Sequence, residues 1–263
     1  RLSDKSAKRY RLLGSLPAKL LSCFTGILAR SEEDLKRFRQ MGVADRILKV
    51  SGDSKILTDH GDPPEEWRKL LRTSKPVLVA GSTRNGEEEI ILKAAESADY
   101  FPVIVPRHLD RIDEVRDIMI KMGFLPVSWT ELTISKSVEL DFDSVLVDVQ
   151  GVLAQMYGMG DAGFVGGTFV PIGGHNVLEP LMRGIPFLVG PHHGSFKEIV
   201  DELVKSGIAH IASSHDELAD ILKRISGEQS EVISVRMEFE NIRKSVLDDF
   251  ASMMSRAGIT EKS

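Results

Sequence analysis

The residues best suited to chemistry lie in one glycine-rich stretch, residues 161–180, which reads DAGFVGGTFVPIGGHNVLEP. A short apolar run predicts a buried strand, and two glycine pairs then lead into a predicted helix that begins near Asn176. Glycines let the backbone approach a ligand because they have no Cβ, and the amides at a helix N-terminus favour an anion such as phosphate. Glu179, one turn into that helix, is placed to accept hydrogen bonds from two ligand hydroxyls. An anion and a diol at one helix start indicate a nucleotide.

The same spacing has a second interpretation. Asn176 and Glu179 stand three residues apart, as in a capping box, where the two side chains satisfy the amides of the helix itself. The spacing alone does not separate the cap from the ligand site. Capping does not account for the two glycine pairs at 166–167 and 173–174, which favour the nucleotide hypothesis.

The segment GGTFVPIGGHNVLEP, residues 166–180, resembles the donor-site signature of the 3-deoxy-D-manno-octulosonic acid (Kdo) transferases, which move Kdo from CMP-Kdo onto the lipid A precursor. Residues 79–83 (VAGST), 106–108 (PRH) and 148–153 (DVQGVL) resemble further blocks of that family in the same order. The resemblance implies an α/β chain of the glycosyltransferase B fold: a Rossmann-like donor domain preceded by the tail of an N-terminal Rossmann-like acceptor domain. It also implies an inverting transferase of lipopolysaccharide biosynthesis, of which we expect this chain to hold the donor-binding part.

The resemblance further implies a set of residues that bind CMP and the donor sugar. They are Gly81, Ser82, Pro106, Arg107, His108, Gln150, Gly151, Val152, Gly166, Gly167, Thr168, Gly174, His175, Asn176, Val177, Leu178 and Glu179. Within this set, Arg107 follows a predicted strand, and a guanidinium binds phosphate with a fixed bidentate geometry. The alternative is a surface arginine paired with Asp110 or Glu114. We expect the two histidines to have structural roles, with His175 orienting its loop.

Two other segments of the set have weaker signals. Residues 81–83 offer hydroxyls and amides to a donor phosphate or sugar carboxylate, although a plain loop needs no ligand. Gln150 and Gly151 lie at a predicted helix start whose amides can read the cytosine edge. Many relatives have a glutamate where Val152 stands, so a contact to the base from Val152 has to come from its backbone.

The resemblance implies a displacement at the anomeric carbon through an oxocarbenium-like transition state, with a general base that deprotonates the acceptor hydroxyl. In the resembled family that base is a glutamate early in the acceptor domain, so we expect it upstream of Arg1, the first residue of this sequence. Lys55 matches the lysine that the family carries at the interdomain turn, so we predict that it stabilises the developing negative charge. Its alternative is a solvated lysine in a linker.

Composition excludes several function classes. The net charge of −5 and the pI near 5.9 argue against a nucleic-acid partner. Cys23 is the single cysteine, so an internal disulfide is impossible and a reducing compartment is indicated. No cysteine–histidine cluster has zinc-site spacing. We therefore expect no metal or other cofactor. The resemblance implies CMP-Kdo as donor and a lipid A precursor as acceptor, at the cytoplasmic face of the bacterial inner membrane.

The elements that position these residues follow from short apolar runs between helical stretches. Strands are predicted at 77–80, 103–105, 144–147, 163–165, 187–189 and 209–211, and helices at 87–98, 110–122 and 196–206. Such alternation predicts a parallel sheet that is covered on both faces. Since the motifs follow strand ends, and ligands of parallel sheets bind there, one common site is expected.

The predicted division of the chain is residues 1–52, the tail of the acceptor domain; 53–75, a linker; 76–235, the donor domain; and 236–263, a C-terminal helix that crosses back. The first domain contains a strand–helix–strand pattern at 26–50, with Ser31 as the helix cap. Residues 1–19 carry six basic side chains near apolar ones at helical spacing, which suits either an anionic membrane surface or a solvated helix face. The alternative functions are another nucleotide-sugar transferase and a non-catalytic nucleotide-binding module.

Overall fold

The structure, a computed structural model, describes residues 4–58, 61–134, 141–226 and 229–258. Arg1, upstream of which we expect the general base, lies outside the described residues, so the position of that base stays a prediction. The chain divides into two units. The first consists of residues 1–59 and 240–263, and the second of residues 60–239.

The first unit contains two short parallel strands joined by a helix. Its elements before residue 59 are α1 (Asp4–Arg11), α2 (Leu16–Leu21), β1 (Ile27–Ala29), α3 (Glu32–Gln40) and β2 (Leu48–Val50), with 3-10 helices at Asp45–Ile47 and Ser54–Leu57. β1 pairs with β2 in parallel. The Ser31 side chain accepts the Asp34 N–H at 3.2 Å, which confirms the predicted cap of α3. The predicted order of strand, helix and strand is therefore correct.

The second unit alternates helices and strands. Its elements are α4 (Glu65–Leu70), β3 (Val77–Thr83), α5 (Glu87–Ser97), β4 (Phe101–Pro106), α6 (Ile112–Lys121), β5 (Pro126–Ser128), α7 (Trp129–Ile134), β6 (Ser144–Leu146), α8 (Leu153–Tyr157), β7 (Ala162–Val165), α9 (Leu178–Met182), β8 (Phe187–Val189), α10 (Lys197–Lys205), β9 (Ala209–Ile211) and α11 (His215–Ser226). The three predicted helices of this region are confirmed as α5, α6 and α10.

The strands of this unit form one seven-stranded parallel sheet in the order β5-β6-β4-β3-β7-β8-β9. The six predicted strands are all present. β5 is not among the predictions, because it is a three-residue edge strand that begins with a proline, a residue without an N–H to pair. The chain leaves β3 toward β4 and returns on the other side of β3 as β7. Such a reversal of strand order marks the usual ligand site of an open α/β sheet.

Alternate residues of the central strands face opposite sides of the sheet, and both sides are buried. Leu78 and Ala80 of β3 lie in an apolar cluster with residues of α5 and α11, whereas Val77 and Val79 lie in a second cluster with Tyr157 of α8. Both clusters are covered by helices, which explains why the strands are apolar at successive positions. The predicted α/β architecture is confirmed.

The last helix, α12 (Gln229–Arg256), contains the boundary between the two units, which falls after residue 239. Its C-terminal part belongs to the first unit. There Val246 is buried, Asp249 pairs with Lys49 of β2, and Arg256 donates to the Arg46 carbonyl at 3.1 Å. No helix in the described ranges is long and apolar enough to span a membrane.

Candidate functional site

A cleft of about 390 Å³ opens in the second unit, where β3, β4 and β6 end. Six of the predicted donor residues line it: Ser82, Pro106, Arg107, His108, Gln150 and Gly151. Apolar side chains complete the wall, namely Val105, Leu109, Val149 and Leu153. The sequence prediction missed these four, because an apolar residue in a cleft wall has the same sequence signal as a core residue. A half-apolar cleft with one arginine in its wall suits a flat ring that carries an anion.

Ser82 has a strained backbone at the edge of this cleft. Its φ is +57°, in the left-handed region that non-glycine residues rarely adopt, and the pairing of β3 with β4 shifts register between Gly81 and Thr83. A Cβ placed on Gly166 would lie 2.2 Å from the Ser82 carbonyl oxygen. A residue with a Cβ would therefore collide with the backbone at Ser82, so position 166 requires glycine. Gly81 is likewise required by packing, since a Cβ there would lie 2.2 Å from the Tyr157 Oη.

The loop that follows β7 is held by a buried carboxylate. Glu87, at the start of α5, is fully buried. Its Oε2 accepts the N–H of Gly167 at 2.7 Å, and its Oε1 accepts the N–H groups of Thr168 and Phe169, each at 2.9 Å. A fourth N–H, from Arg84, donates to Oε2 at 2.9 Å. The N–H groups of Gly167 and Thr168, two residues of the set that the resemblance implies for the donor, are thus already bonded inside the chain.

Two opposing effects act on this carboxyl group. Burial raises the pKa of Glu87 above its ordinary value, and the four backbone N–H donors act to lower the same pKa. The sequence prediction missed Glu87, because acids in the first turn of a helix are common on solvent-exposed surfaces and three glutamates stand there in a row.

The rest of this loop also forms internal bonds. The Gly174 N–H donates to the Gly167 carbonyl at 2.8 Å, and the His175 N–H donates to the Gly166 carbonyl at 3.1 Å. The Thr168 hydroxyl is buried, donates to the Val165 carbonyl and accepts the Gly190 N–H, both at 2.7 Å. The Thr168 side chain is therefore structural in this conformation, and a contact between Thr168 and the donor stays a prediction.

Cationic and imidazole side chains meet beside the cleft. The Arg84 Nε–H donates to His175 Nε2 at 3.2 Å, and Arg84 Nη1 lies 2.8 Å from His108 Nε2. Since a guanidinium can only donate, each imidazole accepts at Nε2 in these contacts. Burial, followed by the charges of Arg84, Arg107 and His108, lowers the pKa of His175 to about 4. His175 thus fixes its loop to Arg84, in agreement with the structural role expected for it.

Arg107 is exposed, and its backbone N–H donates to the Thr83 carbonyl at 3.1 Å. The surface ion pair that we considered as its alternative role is not formed. Glu114 pairs with Arg111 at 3.0 Å, and Arg111 also binds the buried Glu88 at 2.8 Å. Arg107 therefore presents its charge at the cleft.

The start of α9 combines features of both interpretations of Asn176 and Glu179. Asn176 Oδ1 accepts the Leu178 N–H at 3.2 Å, and Asn176 Nδ2 donates to Glu179 Oε1 at 3.1 Å. In a capping box the glutamate would accept the backbone N–H of the cap residue, and here it accepts a side-chain amide. The helix begins at Leu178, two residues later than predicted. The side chains of Val177 and Leu178 are buried, and a contact between these residues and the donor stays a prediction.

Two predicted residues lie away from the cleft wall. Val152 packs on the apolar cluster around Tyr157. Lys55 belongs to the first unit, where it lies exposed in the 3-10 helix Ser54–Leu57 and donates its backbone N–H to Asp53 Oδ1 at 3.1 Å. Its catalytic role stays a prediction. In the part of the chain that the structure describes, no group of three or more His, Cys, Asp or Glu side chains is arranged to hold a metal ion.

Comparison with known sequences finds relatives of one family. The family model of 3-deoxy-D-manno-octulosonic-acid transferase (kdotransferase) matches residues 1–58. A 3-deoxy-D-manno-octulosonic acid transferase of Haemophilus influenzae is 34% identical over 230 residues, which cover 83% of this chain and 53% of that protein. The Aquifex aeolicus enzyme of that name is 33% identical over 242 residues, 88% of this chain and 61% of that protein. The chain spans about half the length of the curated relatives it matches.

Comparison with solved structures agrees with the sequence relatives. The C-terminal CMP-Kdo binding domain of WaaA from Acinetobacter baumannii matches with a TM-score of 0.58 and 27% identity, over 67% of this chain and 93% of that domain. Anabaena Alr3699/HepE in complex with UDP matches with a TM-score of 0.57 and 15% identity, over 97% of this chain and 70% of that protein, which shows a shared fold alone. These neighbours confirm the predicted glycosyltransferase B fold class.

Proposed function

Because this chain belongs to the family of 3-deoxy-D-manno-octulosonic acid (Kdo) transferases, we propose that it binds CMP-Kdo for transfer in lipopolysaccharide biosynthesis. The observation that carries the proposal is the cleft where β3, β4 and β6 end, with Arg107 in its wall. Its volume of about 390 Å³ lies within the usual range of small-molecule sites. The residues that line it include three of the segments through which the sequence resembles the family.

In this proposal the nucleotide occupies the cleft. Arg107 donates to the phosphate, because a guanidinium offers two parallel N–H groups to two phosphate oxygens. The apolar side chains of Val105, Leu109 and Val149 pack on the cytosine ring, and the backbone at Gly151 reads its edge. Glu179 accepts hydrogen bonds from the ribose diol. The chemistry is displacement of CMP from the anomeric carbon with inversion, and we assign no residue of this chain as the general base.

We also propose that the acceptor is a lipid A precursor and that the first unit touches an anionic membrane surface at the cytoplasmic face of the inner membrane. Support comes from α1, α2 and the residues next to them. Apolar side chains there are 44% to 86% exposed: Tyr10, Leu12, Leu13, Leu16, Leu20 and Phe24. Lys8, Arg9 and Lys19 are close by in sequence. Exposed apolar side chains together with basic ones are typical of interfacial helices.

Calorimetric titration with CMP, cytidine and UDP tests the donor assignment. We expect CMP to bind at least tenfold more tightly than either of the others, since the cleft reads both the base and the phosphate. Lys93→Ala, which removes one exposed charge on α5, serves as a control and should bind CMP unchanged. Equal or tighter binding of UDP would favour another nucleotide-sugar transferase of the same fold. Binding of none of the three would contradict a nucleotide function.

A further inference from the structure

Two arginines beside the cleft, Arg84 and Arg107, form no ion pair with a carboxylate among the residues that the structure describes. Other arginines of the same unit do form such pairs. Arg111 binds Glu88 and Glu114, and Arg183 binds Asp62 at 3.1 Å. Arg84 Nη1 lies 2.8 Å from Nε2 of His108, the residue next to Arg107 in the chain, so the two arginines reach the same part of the cleft edge. Like charges that meet without a counter-ion indicate a site for an anionic ligand.

Arg84 is held in place from three directions. Its backbone N–H is bound by the buried carboxylate of Glu87 at 2.9 Å. Its guanidinium donates to His175, from the loop after β7, and to His108, from the cleft wall. These contacts use Nε and Nη1, and Nη2 donates to none of the described residues. The side chain is therefore positioned in advance while part of its donor capacity is left for a ligand.

The position of Arg84 distinguishes its role from that of Arg107. Arg107 lines the cleft itself, whereas Arg84 connects His108 of the cleft wall with His175 of the loop after β7. The N–H groups of Gly167, Thr168 and Phe169 in that loop do not face an anion, because Glu87 already binds them. The Arg84 side chain, in contrast, keeps a donor group that an anion extending from the cleft toward this loop can use.

We propose that Arg84 is a specificity-determining residue that binds the carboxylate of the donor sugar, while Arg107 binds the phosphate of the nucleotide. This inference rests on the proposed function, since a CMP-activated sugar acid carries these two anions. It explains why two guanidinium groups without a carboxylate partner among the described residues lie at the edge of one cleft. A donor with a neutral sugar leaves Arg84 without its partner, so Arg84 selects for sugar acids.

The test compares CMP with CMP-Kdo, by calorimetry, for the unchanged chain, Arg84→Ala, Arg84→Lys and the charge control Lys93→Ala. We expect Arg84→Ala to weaken CMP-Kdo at least tenfold and CMP less than threefold. Arg84→Lys keeps the charge without the planar fork and should restore part of the loss. Lys93→Ala should bind both ligands as the unchanged chain does. The ratio of the two affinities is informative because a guanidinium that only tied two loops together would affect both ligands alike.

The possible failures are distinct. If the unchanged chain binds neither ligand, the proposed function fails and this inference fails with it. If the unchanged chain binds both ligands and Arg84→Ala weakens them equally, or weakens neither, only this inference is overturned. Should Arg84→Ala melt at a lower temperature, Arg84→Lys decides the question on the same ratio.

Discussion

Glu87 offers the sharpest test of how the site is assembled. Its carboxylate accepts four backbone N–H groups, two at each oxygen, and it is fully buried. Glu87→Gln replaces one oxygen with an NH₂ group of nearly the same size. The substitution therefore leaves the shape of the side chain intact, while it removes the negative charge and the acceptor capacity of one oxygen.

The expected loss of stability follows from these contacts. Whichever way the glutamine amide is turned, its NH₂ group faces two backbone N–H donors, and both lose their acceptor. Each buried donor without a partner costs about 1–3 kcal/mol, so the free energy of unfolding should fall by about 2–6 kcal/mol. For a unit of this size the melting temperature should fall by about 2–4 °C for each kcal/mol.

Urea unfolding followed by tryptophan fluorescence measures this loss. Trp67 and Trp129 both lie in the second unit, with ring centroids 4.9 Å apart, so their signal reports on the unit that contains Glu87. The matched control is Glu89→Gln, an exposed neighbour on the same helix, which should change stability by less than about 0.5 kcal/mol. A loss below about 1 kcal/mol for Glu87→Gln would refute the argument, since it would mean that the four hydrogen bonds do not hold the loop.

Three further predictions concern ligand binding and pH. Arg107→Ala should weaken CMP by about tenfold to more than a hundredfold and cytidine much less, because a charge-assisted contact is worth about 1.5–3 kcal/mol; equal losses in calorimetry would show that Arg107 does not hold the phosphate. The unchanged chain should prefer CMP to 2′-deoxy-CMP at least tenfold, and Glu179→Gln should remove that preference at unchanged stability; if neither protein distinguishes the two nucleotides, Glu179 is a helix cap. His175, whose pKa is lowered from 6.5 to about 4, takes up fewer protons when folded than when unfolded, so stability should fall as the pH falls from 6.5 to 4. After allowance for partial exposure we expect His175 to contribute about 1–2 kcal/mol to this loss of stability, which should make the pH dependence shallower in His175→Gln. An unchanged slope would contradict this prediction. The pH dependence that remains in His175→Gln is expected from His210, whose pKa is also lowered to about 4.

Much of the fold and the location of the site followed from the sequence. Apolar runs between helical stretches predicted six strands of the sheet, since a strand buried on both faces must be apolar throughout. The site could be located because parallel strands end at one edge, which brings Ser82, Arg107 and Gln150 to one cleft although they are far apart in the chain. β5 was not predicted, because its three residues, which begin with Pro126, are too few to show a strand pattern.

The contacts that organise the site could not be predicted, because they join residues far apart in sequence. Glu87 binds residues 80 to 82 positions away, and Arg84 binds His175 at a separation of 91. A glutamate in the first turn of a helix has the same sequence context whether it is exposed, like Glu89, or bound to four amides. Only the fold of the loop after β7 distinguishes them.

The glycines of that loop have a packing role that does not depend on a ligand. A glycine without a Cβ admits a ligand or another stretch of backbone equally well, and at Gly166 the neighbour is the Ser82 carbonyl. With the N–H groups of Gly167, Thr168 and Phe169 bound to Glu87, we propose that the side chains of Arg84 and Arg107 recognise the two anions of the donor. Backbone amides would hold any phosphate, whereas two guanidinium groups at separate positions favour a ligand with two anions at a matching distance. In this proposal the internal carboxylate contributes to the selectivity of the site as well as to its stability.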